Sequence, residues 1–321
     1  MRLAKDFTLS LSDLHFVGEN LSRPESVIAC PDGTLFCSDN RGGITRIAPD
    51  GKQELIGHVT GELNGISIDR QGNILAADLQ EGVIQKIRPD GSHEVVLSEI
   101  DGHPLGAVNS VFVDSQGRLW IPVSTRASHW FEAAAHPRPD GCIILLDEKG
   151  PRIVADGILF TNEARLDPSE QYLYAAETMA ARMLRFPVRP DGTLGDREVF
   201  GPDSLGPTAF VDGFALDFEG NVWVTTVARN GLVVITAAGE AHTVFEDPNP
   251  DGLNNATARF QDGTYSPQDM LACAGATLQF PTSVAFGGSD LKTVYLGSLG
   301  MTRLVSFRSP VAGAPLPHWK W

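Results

Sequence analysis

The chain alternates apolar and polar residues in short bursts, each broken by a turn built on Asp, Pro or Gly. In "LNGISIDRQGNILAAD" (63–78) two runs of period two flank "DRQG". Period two predicts a strand with one face turned each way, and the Asp-to-Gly turn predicts that the two strands form a hairpin.

The same block recurs five more times: "RPESVIACPDGTLFCSD" (23–39), "VNSVFVDSQGRLWIPV" (108–123), "TNEARLDPSEQYLYAAE" (161–177), "VDGFALDFEGNVWVTT" (211–226) and "PTSVAFGGSDLKTVYLG" (281–297). A second pair of β-rich runs follows most copies, as in "GGITRIAPDGKQELI", "GVIQKIRPDGSHEVVL" and "GLVVITAAGEAHTVF". Each unit therefore holds four strands. Units beginning at 25, 64, 109, 162, 212 and 282 lie 39, 45, 53, 50 and 70 residues apart. Four-stranded repeats of this length predict propeller blades rather than solenoid turns. The expected fold is all-β: one six-bladed β-propeller spanning 1–321, with no separate domains.

Too little chain follows the sixth block for four strands. The run "DLHFVGEN" (13–20) is expected to supply the missing outer strand and close the ring. The longest gap, 248–280, is expected to be a functional loop or a lid.

Six residues open the first strand of each unit: Glu25, Asn64, Asn109, Asn162, Asp212 and Thr282. All carry side-chain oxygen. In a propeller these positions ring the central channel, which leaves two readings: a polar channel filled with water, or a ring that holds a hard divalent cation such as Ca²⁺. The absence of His and Cys from the ring points away from soft-ligand chemistry. Asp69, Asp114, Asp167 and Asp217 lie inside hairpin turns and are expected to be structural.

Composition narrows the function. A hydrophobic share of 42%, a charged share of 20%, 33 Gly and 21 Pro describe a folded chain rich in turns. The net charge of −15, with no Lys/Arg run, argues against a nucleic-acid partner. No stretch nears the ~18 apolar residues of a membrane span, and the first residues lack the apolar core of a signal peptide. Four scattered cysteines without a CxxC pair fit reduced thiols, so a cytoplasmic location is expected. A closed propeller exposes few sheet edges, and a monomer is expected.

With "RPES", "VNSVFVDSQGRLW", "TNEARLDPSEQYLYAAET" and "VDGFALDFEGNVWV" in that order, the chain resembles the SMP-30/gluconolactonase/LRE family of six-bladed, metal-dependent lactonases over nearly its whole length. The resemblance implies that Glu25, Asn162 and Asp212 ligate the metal and that Asn109 holds substrate or a metal-bound water. Asn64 and Thr282 are expected to be polar channel lining. The substrate implied is a small lactone or related ester. Asp212 is expected to be the general base, since one carboxylate oxygen can face a cation while the other accepts a proton; Glu25 is the alternative. Besides Ca²⁺, an oxygen-ligand site of this kind would also accept Mg²⁺, Mn²⁺, Fe²⁺ or Zn²⁺. No G-x-S-x-G elbow supplies a serine nucleophile.

One departure bears on substrate. Sugar lactonases of the family commonly carry Arg two residues before the Asn matched by Asn109; here that residue is Ala107. His103, Phe160, Phe210 and the segment "STRASHW" (124–130), with Arg126 and His129, are the expected pocket rim. This set suits a substrate less polar than a sugar lactone. A lyase, cyclase or isomerase on the same scaffold, and a non-catalytic binding propeller, are the competing readings.

Overall fold

The computed structural model describes residues 3, 4, 6–127 and 129–321. Among them, six four-stranded antiparallel sheets follow one another along the chain. The first blade consists of Val27–Ala29, Leu35–Asp39, Gly43–Ile47 and Gln53–Ile56 in that order. The innermost strands of the next four are Leu63–Ile68, Phe112–Val113, Thr161–Leu166 and Val211–Leu216. The sixth blade runs Pro281–Gly287, Thr293–Ser298, Leu304–Arg308, and its outer place is taken by the N-terminal strand His15–Val17. That strand pairs antiparallel with Leu304–Arg308, Phe16 opposite Val305, so the two ends of the chain close the ring. The expected architecture and closing strand are both present.

Burial follows strand position. Strands in the middle of a blade are covered on both faces by neighbouring blades, and every residue of Leu119–Val123 and Gly231–Ile235 is buried. Outer strands such as Gln53–Ile56 have no fully buried residue. The apolar cores lie between blades: Leu75 and Ile84 of the second blade pack with Val111, Ile121 and Ile144 of the third. Trp120 and Trp223 are fully enclosed in such seams. Each indole N–H donates to a turn carboxylate, Trp120 to Asp114 and Trp223 to Asp217, both at 3.0 Å. These turn Asp residues also accept from the backbone of their own turns, Asp69 from Gln71 and Asn73 and Asp217 from Glu219 and Asn221. They set hairpins and stand away from the channel mouth.

The gap at 248–280 contains two helices, α2 (Pro250–Gln261) and α3 (Pro267–Leu271), where the sequence reading expected a loop. Both starts carry recognisable caps. Asn249 accepts from the Gly252 N–H with Pro250 at the first helical position, and Ser266 with Asp269 forms a capping box. A third short helix, α1 (Trp130–Ala135), follows the third blade's inner hairpin. The three helices join one apolar cluster with Phe160, Phe210 and Phe280 at the channel mouth. At the opposite end the C-terminal tail folds across the base, where the His318 and Trp319 ring nitrogens meet the Ala29 carbonyl at 2.9 and 3.0 Å.

Candidate active site

The inner strands are built to turn one side chain toward the axis. In the second, fourth, fifth and sixth blades the pairing register shifts across the ring position, between Leu63 and Ile66, Thr161 and Ala164, Val211 and Phe214, and Pro281 and Val284. A bulge at that point frees the ring residue from the pleat and re-aims it. The residue after each ring position then enters the seam against the next blade: Ser26, Gly65, Ser110, Glu163, Gly213 and Ser283. Most are small because the seam is narrow. A Cβ on Gly65 would stand 2.3 Å from that of Ser110. Several bond across the seam, Ser26 Oγ accepting from Ile66 N–H at 3.2 Å and Ser110 Oγ donating to the Asn162 carbonyl at 3.1 Å.

The amides of the ring are chained. Arg23 donates to Asn64 Oδ1 at 2.8 Å, Asn64 Nδ2 donates to Asn109 Oδ1 at 3.0 Å, and Asn109 Nδ2 donates to Ser124 Oγ at 3.0 Å. The Ser124 hydroxyl in turn donates to the Thr161 carbonyl at 3.0 Å. Asn64 and Asn109 are therefore oriented by neighbours. Thr282 is fully buried, and its hydroxyl donates to the Glu25 carbonyl at 2.6 Å, so it ties the sixth blade to the first instead of lining the cavity as expected.

Glu25 and Asp212 differ from the rest. Both are buried, at 4% and 8% exposure, yet Glu25 Oε2 and Asp212 Oδ1 have no hydrogen-bond partner among the described residues. Burial raises both pKa values. For Glu25 the negative charge of Asp212 adds to it, against the Arg23 guanidinium. Asp212 is pushed up to about 8 by burial and by Glu163, offset in part by the Asn162 amide, Arg23 and the Gly213 N–H. Two carboxylates desolvated side by side, each with a bare oxygen, are costly for a protein to keep; an unpaired buried charge costs several kcal/mol. Either protonation or a cation relieves them. Among the described residues no group of three or more His, Cys, Asp or Glu is placed to hold a metal ion by itself. The oxygens available here are two carboxylates and the Asn162 amide, a hard set suited to Ca²⁺ or Mg²⁺ with water completing the shell.

Glu25, Asn109, Asn162 and Asp212 share a cavity of about 80 Å³ with Phe160, Phe210, Arg23 and Asn64. The cap supplies its roof through Trp130, Phe131, Tyr265 and Met270, and Met179 and Leu299 join the walls. Two of the residues lining this mouth hold left-handed backbone, Arg23 with φ 49° and Phe160 with φ 66°. Each stands two positions before a ring residue, where the chain turns sharply into the inner strand. Such conformations are strained for side chains of this size and recur at functional sites.

The expected rim divides in two. Phe160 and Phe210 line the cavity with the carboxylates, whereas His103, Arg126 and His129 line a neighbouring cleft of about 990 Å³. Leu79 and Trp130 border both spaces and form the wall between them. His103 is exposed on the small hairpin Glu99–Ile100/His103–Pro104. His129 caps α1, its Nδ1 accepting from the Phe131 N–H at 3.3 Å, and its ring stacks on Trp130. Ser128 of the same segment lies outside the described residues. Ala107 faces the cleft too, so position 107 brings no side chain to the carboxylates.

Sequence reasoning missed Arg23, Tyr265 and Met270, while Trp130 ends the segment 124–130 that was expected at the rim. Arg23 was legible: it precedes Glu25 by the same two positions that separate Phe160 from Asn162 and Phe210 from Asp212. The residues of the cap carried no repeat signal, because the cap breaks the repeat.

Comparison with known proteins agrees with this architecture. Residues 23–253 match the model of the SMP-30/Gluconolactonase/LRE-like region. A 6-deoxy-6-sulfogluconolactonase of Pseudomonas putida is 23% identical over 242 residues, covering 74% of this chain and 69% of that protein. Among solved structures, a gluconolactonase of Xanthomonas campestris superposes with a TM-score of 0.68 at 18% identity, covering 92% of this chain and 89% of its own. The calcium-binding protein regucalcin of Agrobacterium tumefaciens gives 0.67 at 17% identity, covering 94% and 97%. By the extent of the family match, the chain belongs to the SMP-30/gluconolactonase/LRE-like family.

Proposed function

We propose that this protein is a metal-dependent lactonase acting on lactones, or related esters, that carry an apolar substituent. One observation carries the reading: Glu25 and Asp212 each leave an oxygen unbonded in a buried cavity that also holds Asn162. Glu25, Asn162 and Asp212 would hold one divalent cation, with Ca²⁺ the first choice. When bound, such an ion supplies positive charge that stabilises two ionised carboxylates and polarises an ester carbonyl.

The chain's own residues supply the remaining functions. Asp212 would accept the proton of the attacking water, with Glu25 the alternative base. Asn109, fixed by Asn64 and Ser124, orients the substrate. Arg23, paired to Glu62 at 3.0 Å and to Asn64, keeps a positive charge at the cavity wall. Trp130, Phe131, Phe160 and Phe210 exclude bulk water and contact the non-reacting part of the substrate. His103, Arg126 and His129 have a role only if a substrate reaches past Trp130 into the cleft. The lactonase relatives named above support lactone opening; the aromatic walls favour a less polar body than gluconolactone.

The enclosed apolar roof also suits a lyase or isomerase in which no water attacks. A pH-indicator assay over γ-, δ-, aryl and sugar lactones separates the two. Turnover that vanishes with chelator and returns with one divalent ion is the expected result. A loaded protein inert on every lactone sinks the lactonase reading and leaves the lyase or isomerase.

A further inference from the structure

The cavity around Glu25 and Asp212 is small for a substituted lactone. It holds about 80 Å³, whereas a cavity of roughly 150 Å³ is the size that binds benzene. A lactone ring and an apolar substituent do not both fit there. The missing space lies next door, in the cleft of about 990 Å³, and among the described residues Leu79 and Trp130 alone border both. Ring contacts put the indole itself in the partition: it stacks on His129 of the cleft at 6.3 Å and stands edge-on to Phe160 of the cavity at 6.4 Å.

The two parts of the cap are held differently. The α2–α3 part is pinned by polar bonds. Asn230 Nδ2 donates to the Cys273 carbonyl at 2.7 Å, Asp247 Oδ2 accepts from the Thr277 and Leu278 N–H groups at 2.6 and 2.8 Å, and the Thr208 and Thr257 hydroxyls meet at 2.8 Å. Trp130 opens α1 and is only partly buried. Among the described residues its indole N–H makes no hydrogen bond, unlike those of Trp120, Trp223 and Trp319. Side-chain rotation there breaks ring contacts and no polar bond.

We propose that Trp130 is a movable partition that sets the substrate range: with its indole turned aside, a lactone ring sits at the carboxylates and an alkyl substituent of that lactone runs into the cleft. This rests on the lactonase reading and names its substrate class. The cleft offers the substituent aliphatic surface from Ile100, Leu105, Ile144 and Ile153. Its charged groups, Glu81, Asp101 and Arg126, are exposed and keep their own contact with water. An alkyl chain needs no hydrogen-bond partner, and each methylene that leaves water for this surface adds to binding.

The test compares metal-loaded wild type, Trp130→Ala and Ile153→Asp, the last at an exposed position of the cleft. One readout is calorimetric binding of 3-hexylcyclopentanone, in which a methylene replaces the ring oxygen of γ-decalactone. The other is the ratio of kcat/KM for γ-decalactone to that for γ-butyrolactone. Removing the partition spares the loss of its ring contacts, so Trp130→Ala should bind the ketone about tenfold tighter and raise the ratio about tenfold. Ile153→Asp should weaken ketone binding and lower the ratio, each at least about threefold. Should Trp130→Ala fail to fold, Trp130→Phe carries the same comparison with a smaller shift in the same direction. Ketone binding that Trp130→Ala leaves at the wild-type value or weakens overturns the proposal, as does binding that Ile153→Asp leaves untouched. The expected shifts in ketone binding in a protein that opens no lactone uphold the partition and remove the lactonase reading. Wild type that neither binds the ketone nor opens either lactone overturns both.

Discussion

Glu163 occupies the space that Gly213 leaves open. Its Oε2 accepts the Phe214 N–H at 2.7 Å and lies 2.6 Å from the point where a Cβ on Gly213 would stand. Its Oε1 accepts from the Arg165 guanidinium, at 2.8 Å from Nε. The two inner strands interlock beside the cavity, and the residue before each interlocking position, Asn162 and Asp212, is thereby set on the ring.

Gly213→Ala should be severely destabilising. The added methyl would meet the Thr282 carbonyl at 2.5 Å and the Ser283 Cα at 2.9 Å, both backbone atoms of the next blade. Overpacking of this kind costs about 3 kcal/mol when backbone must shift. Urea denaturation checks it, and a midpoint equal to wild type would show that the seam yields easily.

Asp212→Asn should leave the fold intact and reduce lactone turnover by roughly 10²- to 10⁴-fold, the ordinary contribution of a positioned base. Removing a buried charge should also keep the metal-free protein at least as stable as wild type at pH 8, where Asp212, pushed up to about 8, is about half ionised. Steady-state kinetics and thermal melts read the two parts. Full activity in this variant, with loss in Glu25→Gln, would move the base to Glu25.

Much of this arrangement could be read from the residues themselves. The six blades, their order and the closing N-terminal strand follow from period-two alternation and Asp-based turns, which repeat and so reinforce one another. The ring positions emerged from the same alignment, and five of the six line the cavity: Glu25, Asn64, Asn109, Asn162 and Asp212. Thr282 departs because its hydroxyl found a nearer acceptor in the Glu25 carbonyl. The rim was harder. His103, Arg126 and His129 come from one blade's connections, and only the position of Trp130 decides that they face a separate cleft. The helices of the cap were not read from the sequence, which suggested a loop at 248–280, and where they pack depends on contacts distant in sequence.

The tail at the base predicts an acid sensitivity independent of the carboxylates. Burial lowers the His318 pKa to about 4, aided by the Arg165 charge and opposed by the Ala29 carbonyl. Its folded value lies below the usual 6.5, so the unfolded chain binds the proton more readily. Stability from this group is present above pH 6.5 and is lost as pH falls toward 4, by up to roughly 3 kcal/mol. Denaturation from pH 7.5 to 4.5 should show a steeper loss for wild type than for His318→Gln, and parallel curves would contradict it.

Substrate preference follows from the walls. Position 107 turns only a methyl to the neighbouring cleft, and the cavity lining is largely apolar, with Trp130, Phe131, Phe160, Phe210 and Tyr265 among it. The specificity constant for γ-phenyl-γ-butyrolactone should exceed that for glucono-δ-lactone by at least about tenfold, the scale on which an apolar pocket separates ligands. Preference for the sugar lactone would place the hydroxyl-binding groups elsewhere.

The central claim is that Glu25, Asn162 and Asp212 hold a divalent cation, and calorimetric titration of chelator-stripped protein with Ca²⁺, Mg²⁺ and Mn²⁺ tests it most directly. The account predicts one ion per chain in wild type, proton release on binding because two raised carboxylates ionise, and at least about tenfold weaker binding in Asp212→Asn and Glu25→Gln. A stripped protein that takes up no ion, or variants that bind as tightly as wild type, would contradict it.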